Sequence, residues 1–177
     1  MIAHFKEAKY DLYPHQLKGI SFMEGIEETQ GCGGILADDV GLGKTIQSIG
    51  LIYKHPANTL IISPVGVIPQ WIEKLNAILP EDRFHIIEYA NISPEALKEL
   101  LQETTRKYVI AVVSGGKVGR RRYDSRYLQW ERVILDEAHF ARNSHTWLFR
   151  NVKTLHAPIK WMLSATPVQN KIDDLYS

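Results

Sequence analysis

Gly34-Ile35-Leu36-Ala37-Asp38-Asp39-Val40-Gly41-Leu42-Gly43-Lys44-Thr45 joins a short apolar run, a glycine-punctuated turn and the start of an amphipathic helix. Residues 34–37 read as a buried strand, and Ile46, Ile49 and Tyr53 then share one face of a helix that Pro56 stops. Between them, Gly41 and Gly43 let the backbone curl so that several N–H groups point at one anion, and the helix N-terminus adds its partial positive charge. Lys44 is spaced to reach the β- and γ-phosphates of a nucleotide, and the Thr45 hydroxyl to ligate Mg²⁺. The loop lies where a phosphate-binding loop must lie, between strand and helix, although Asp38 stands where the simple pattern has glycine.

The flanking sequence repeats this strand–helix rhythm. Upstream, Pro14 opens a helix carrying Leu17, Ile20, Met23 and Ile26 at helical spacing, ended by Gly31, Gly33 and Gly34. Downstream, the apolar run 59–63 leads into a helix with Trp71, Leu75, Ile78 and Leu79 on one face, closed by Pro80. Residues 84–89 read as a strand, and Ser93-Pro94-Glu95 supplies a cap, a first-turn proline and an acidic first turn for the next helix. Residues 108–114, 132–136 and 159–164 are three more strands, the last two separated by a helix around 147–155. Such alternation predicts an α/β fold, a mostly parallel sheet covered by helices on both faces.

Two further segments place chemistry at strand ends. Asp136-Glu137-Ala138-His139 follows Val133-Ile134-Leu135, so a carboxylate emerges from a buried strand where a Mg²⁺ partner is needed. In a phosphate-loop ATPase one acid holds the metal's water shell while an adjacent Glu orients the attacking water; Asp136 and Glu137 suit those roles. Ser164-Ala165-Thr166-Pro167 follows Trp161-Met162-Leu163 and offers hydroxyls to His139. Alone, each segment also fits a solvated strand end or a capped turn; the phosphate loop upstream favours the chemical reading.

In this order the three motifs resemble the first RecA-like lobe of superfamily two helicases, and the surrounding residues narrow the resemblance to Swi/Snf-type DNA translocases. Leu12-Tyr13-Pro14-His15-Gln16 is similar to that family's adenine-recognition segment, and residues 36–45 to its motif one, in which Asp is usual at the Asp38 position. Leu60-Ile61-Ile62-Ser63-Pro64 with Gln70-Trp71 resembles motif Ia, residues 133–139 motif two, and residues 163–170 motif three with its Val168-Gln169-Asn170 tail. The resemblance implies a RecA-like three-layer α/β/α sandwich with ATP and Mg²⁺ as cofactors. It makes Gln16, Asp38, Asp39, Gly41, Leu42, Gly43, Lys44 and Thr45 the nucleotide set, with Gln16 reading adenine. Thr45 and Asp136 would hold the metal, Lys44, Asp136, Glu137 and His139 form the catalytic group, and Ser164 and Thr166 couple hydrolysis to motion. Asp39, Val40 and Ala165 replace the family's more usual Glu, Met and Gly. The Asp38-Asp39 pair leans toward members linked to post-replication repair and transcript release.

The resemblance further implies double-stranded DNA as partner, with chromatin or repair proteins beside it. Ser63, Ser114, Lys117, Arg120, Arg121 and Arg122 are the nucleic-acid candidates, with Arg126; the interleaved Tyr123 and Tyr127 could stack or anchor the loop, and the basic stretch equally fits a solvated surface loop. Arginine contacts to phosphate would be sequence-independent and salt-sensitive. The net charge of +1 makes any such surface a local cluster rather than a global field.

The 177 residues suit one domain, and 45% hydrophobic with 23% charged residues suits a folded one. The lone Cys32 excludes an internal disulfide, and no apolar run is long enough to span a bilayer. With no secretory pattern at the start, the expected location is the nucleus in a eukaryote and otherwise the cytoplasm, with no membrane partner. The histidines show no zinc-ligand spacing. Because Ser177 falls just after the last motif, the expectation is one ATP-binding domain over 1–177, truncated at its C-terminus and without the family's second RecA-like lobe. Two activities follow as alternatives: an ATPase lobe helping to drive translocation and remodelling of protein–DNA complexes, or a nucleotide-binding module that hydrolyses little alone. A small phosphate-loop kinase fits the second and third motifs poorly.

Overall fold

Residues 1–102, 107–118, 128–138 and 147–165 are described by the computed structural model. Arg120, Arg121, Arg122, Tyr123, Arg126, Tyr127, His139, Thr166 and the 168–170 tail lie outside the described residues.

Each apolar run becomes a strand of one parallel sheet: β1 (Gly34–Leu36), β2 (Thr59–Ser63), β3 (Phe84–Glu88), β4 (Tyr108–Ser114), β5 (Arg132–Leu135) and β6 (Ile159–Leu163). Their order across the sheet is β1-β6-β5-β2-β4-β3. The helices are α1 (Ile2–Glu7), α2 (Pro14–Gln30), α3 (Lys44–Lys54), α4 (Ile68–Ile78), α5 (Pro94–Gln102) and α6 (Trp147–Thr154). Parallel strands need right-handed crossovers, so reversing the direction of travel along the sheet moves the helix to the other face. The chain steps one way from β1 to β2 to β3, and α3 and α4 share a core with α2 on one face. From β3 to β4, and from β5 to β6, it steps back, and α5 and α6 pack on the opposite face.

Side chains alternate between these cores with the two-residue period of a strand. Ile61, Ile110, Val112 and Ile134 enter the first; Leu60, Ile62, Val109, Ala111, Val113, Val133 and Leu135 enter the second. Being buried on both sides explains why these strands read as continuous apolar runs rather than alternating ones. The burial of Ile68, Trp71, Leu75 and Ile78 gives α4 one apolar stripe, whereas α3 buries every residue from Ile46 to Ile52 because α2, α4 and the sheet surround it. α1 was not evident in the sequence: its one deep anchor is Phe5, flanked by charged and polar residues.

Beneath the sheet, Glu27 of α2 is fully buried against Arg132, the first residue of β5. Arg132 Nε donates to Glu27 Oε1 at 2.7 Å and its Nη2 to Oε2. Trp161 Nε1 donates to Oε1 at 2.8 Å, and His55 Nδ1 lies 2.6 Å from Oε2. Arg132 also reaches the His55 carbonyl at 2.8 Å and the Thr59 hydroxyl at 3.3 Å. Burial alone would raise the Glu27 carboxyl; the Arg132 hydrogen bond and charge, with Trp161 and His55, outweigh it and hold the carboxyl below its ordinary value. The network ties α2 to β2, β5 and β6 at the end of the sheet away from the phosphate loop.

Candidate nucleotide site

Strand register puts the chemistry of all three motifs on one edge. Leu36 pairs with Leu163, Ile62 with Leu135 and Ser63 with Ser114. The residues that follow therefore line the carboxyl ends of the strands: the phosphate loop after β1, Ser164 after β6 and Asp136 after β5, beside Ser63 and Ser114 at the ends of β2 and β4. The backbone N–H of Ser164 donates to Leu36 O at 3.2 Å and that of Asp136 to Ile62 O at 2.8 Å, extending the ladder to these residues. β2 leaves this edge toward α4 on one face and β5 toward α6 on the other, and such diverging exits open a crevice in parallel sheets.

The loop has the backbone its glycines foretold. Gly41 and Gly43 lie at φ 87° and 82°, the left-handed region that L side chains avoid. A Cβ on Gly43 would also fall 2.4 Å from Gln16 Nε2. Among the described residues no side chain caps the N-terminus of α3, so the N–H groups of its first turn face outward toward an anion. Lys44 Nζ donates to the carbonyl oxygens of Asp38 at 2.7 Å and Asp39 at 3.2 Å.

The segment before α2 is fastened to this loop. Gln16 occupies the third helical position, where its Oε1 accepts the Tyr13 N–H at 3.0 Å and its Nε2 donates to Leu42 O at 3.2 Å. His15 Nε2 lies 3.1 Å from the same oxygen, its ring stacked on Tyr13 with centroids 5.8 Å apart. Gln16 thus lies against the phosphate loop, only 7% exposed.

Asp136 is the best-held carboxylate of the site. Its Oδ2 accepts the Ser63 hydroxyl at 3.1 Å and the Trp71 indole N–H at 2.8 Å; its Oδ1 accepts the Glu137 backbone N–H at 3.0 Å. Glu137 is one of two non-glycine residues with positive φ among the described residues, at 50°. A left-handed conformation costs a non-glycine residue of order 1–3 kcal/mol and persists where the surroundings impose it. Ser63, expected on the nucleic-acid side, is 3% exposed and spends its hydroxyl on Asp136. A cleft of about 590 Å³ opens beside it, lined by Ser63, Pro64, Ser114, Lys117, Asp136 and Leu148 among others.

Asp136 is brought to Ser63 and Glu137, Lys44 to Asp38 and Asp39, and Gln16 to Leu42; β6 lies between the phosphate loop and Asp136. At about 4.8 Å per strand, the two halves of the site stand roughly 10 Å apart. Two residues escaped the sequence reading as site residues. Gln47, fully buried in α3, donates to Asp38 Oδ2 at 2.7 Å, and Trp71 was read only as a core and motif residue. A polar residue in a fully buried helix was the available signal for Gln47; for Trp71 the motif-like pair Gln70-Trp71 was one, but its bond to Asp136 depends on how α4 packs at the end of β5. The donor set suits a magnesium nucleotide: hard oxygens at Thr45 and Asp136, an ammonium at Lys44 and uncapped N–H groups at α3.

The chain belongs to the SNF2-related domain family, which matches residues 15–177. It is 34% identical to an ATP-dependent helicase of Schizosaccharomyces pombe, over 94% of this chain and 18% of that protein. It is 30% identical to the chromatin-remodeling ATPase INO80 of Saccharomyces cerevisiae, over 94% of this chain and 12% of that one. The chain therefore spans less than a fifth of the length of these curated relatives. The SWI2/SNF2 ATPase core of Sulfolobus solfataricus, solved in complex with double-stranded DNA, superposes with a TM-score of 0.76 at 31% identity, covering 96% of this chain and 35% of that one. The six-stranded parallel sheet with its helices is accordingly the RecA-like fold of that core.

Proposed function

We propose that this chain is the ATP-binding lobe of a DNA-dependent ATPase that couples hydrolysis to remodelling of protein–DNA complexes. One observation carries the proposal: an uncapped phosphate loop and a buried, three-times hydrogen-bonded Asp136 share one edge of the sheet. Lys44 moves from the Asp38 and Asp39 carbonyls to the phosphate oxygens, Gly41 and Gly43 present backbone N–H groups, and Gln16 meets the adenine. Thr45 and Asp136 would hold Mg²⁺, whose charge would offset that of the phosphates. Glu137 orients and polarises the attacking water, its backbone fixed by the bond to Asp136. His139, Ser164 and Thr166 carry the state of the nucleotide to the rest of the motor. Double-stranded DNA is the partner, a reading supported by the similarity to the Sulfolobus core solved with that ligand. Lys117 and the arginines at 120–122 are its phosphate contacts, in chromatin or repair assemblies of the nucleus where the source is eukaryotic.

The test is ATP turnover by this chain with and without double-stranded DNA. DNA is expected to raise the rate, Glu137→Gln to lower it by about 10²–10⁴-fold, and Lys44→Ala by roughly 10²-fold or more. Full DNA-stimulated turnover in both variants contradicts the assignment.

A further inference from the structure

We propose that Trp71 is a positioning residue that fixes the orientation in which the Asp136 carboxylate meets the metal. A carboxylate offers about four lone-pair sites. Ser63 Oγ and Trp71 Nε1 occupy both on Oδ2, at 3.1 and 2.8 Å, and the Glu137 N–H occupies one on Oδ1 at 3.0 Å. Among the described residues one site remains, on Oδ1, the oxygen that also holds the backbone of Glu137. Rotation of the carboxylate would strip the indole of its acceptor inside the core, where Trp71 is 0% exposed and Asp136 is 9% exposed. An unmade bond there would leave a buried donor unsatisfied, so the carboxylate is locked rather than merely present.

The lock runs from core to chemistry. Trp71 lies on the buried stripe of α4 with Ile68, Leu75 and Ile78, and its indole leaves that stripe to meet the end of β5. The helix thereby sets the orientation of Asp136 and, through Oδ1, the backbone of Glu137. Trp71, with no exposed surface to offer nucleotide or water, acts through Asp136. The inference rests on the proposed Mg²⁺·nucleotide reading, and its test separates the two.

The experiment uses the 177-residue chain and measures ADP affinity without metal, then Mg²⁺ affinity of the ADP-bound chain. It compares wild type, Trp71→Phe, Ser63→Ala and Asp136→Asn. Partners of metal-ligating groups are worth roughly 10–100-fold in metal affinity. Trp71→Phe, which keeps an aromatic ring in the core, is expected to weaken Mg²⁺ by about tenfold and Ser63→Ala by less, with metal-free ADP affinity within about twofold of wild type. A merely structural tryptophan would shift both affinities together. The Trp71 indole N–H resonance of the wild-type, ADP-bound chain is also expected to move when Mg²⁺ is added, a readout that stands if Trp71→Phe fails to fold. Unchanged Mg²⁺ affinity in Trp71→Phe alongside its loss in Asp136→Asn overturns the role of Trp71 alone, as does an indole signal indifferent to Mg²⁺. Unchanged affinity in Asp136→Asn overturns the nucleotide reading, and this inference with it.

Discussion

Gln47 donates its side-chain N–H to Oδ2 of Asp38 at 2.7 Å, closing the phosphate loop from behind. This bond gives a physical reason for an aspartate where the simple phosphate-loop pattern has glycine: the carboxylate is an anchor of the loop and faces the helix. The same Nε2 lies 3.4 Å from Leu42 O, already bonded by Gln16, so two helices hold one loop.

Gln47→Leu should therefore loosen the loop without emptying the core. A hydrogen bond to a charged group contributes about 1.5–3 kcal/mol, and about 1.4 kcal/mol is tenfold in affinity. ADP affinity is expected to fall by roughly tenfold, measured by fluorescent-nucleotide titration. The melting temperature should fall little, since the substitution also removes the Gln47 Oε1 acceptor, buried without a partner among the described residues.

The Glu27–Arg132 pair predicts a pH dependence with a definite sign. Glu27 titrates below its ordinary 4.5 because Arg132, Trp161 and His55 outweigh the effect of burial. Its contribution to stability is complete above the unfolded value and disappears as pH falls through the lower folded value. Urea unfolding should show stability declining below about pH 4.5 in the wild type and declining less steeply in Glu27→Gln. At neutral pH, Glu27→Gln leaves the Arg132 charge buried with its carboxylate partner removed and is expected to cost about 3–5 kcal/mol. Replacing both residues by apolar ones should restore most of that loss.

For DNA, Lys117 is the basic candidate within the described residues, at the cleft beside Ser114. A phosphate contact carries little sequence information and contributes to the salt dependence. Lys117→Ala is expected to weaken double-stranded DNA binding evenly across sequences and to reduce the slope of log affinity against log salt by about 1. An unchanged slope removes Lys117 from the interface.

The fold was legible because its central strands β2, β4 and β5 are buried on both faces: runs such as Leu60-Ile61-Ile62 and Val109-Ile110-Ala111-Val112-Val113 carry no competing helical period. The glycine turn after β1 was legible because its conformation depends on Gly41 and Gly43, whose φ angles few other residues adopt. What escaped depends on contacts between distant residues. Ser63 and Asp136 are 73 residues apart and Trp71 and Asp136 are 65 apart; the β2–β5 register and the packing of α4 turn them into one cluster. Gln16 was legible as a helix-start residue, but its bond to Leu42 depends on how α2 packs on α3. The Glu27–Arg132 pair was invisible for the same reason, since each residue alone reads as an exposed charge at an element's end.

Thermal unfolding of the chain with ADP and Mg²⁺, in wild type and Lys44→Ala, tests the nucleotide site most directly. A ligand that binds only the folded state stabilises it by RT ln(1 + [L]/Kd), about 2.7 kcal/mol at a hundredfold excess over Kd. The wild-type melting temperature is expected to rise with Mg²⁺·ADP concentration and that of Lys44→Ala to stay flat. Equal rises in both proteins, or none in the wild type, contradict the account.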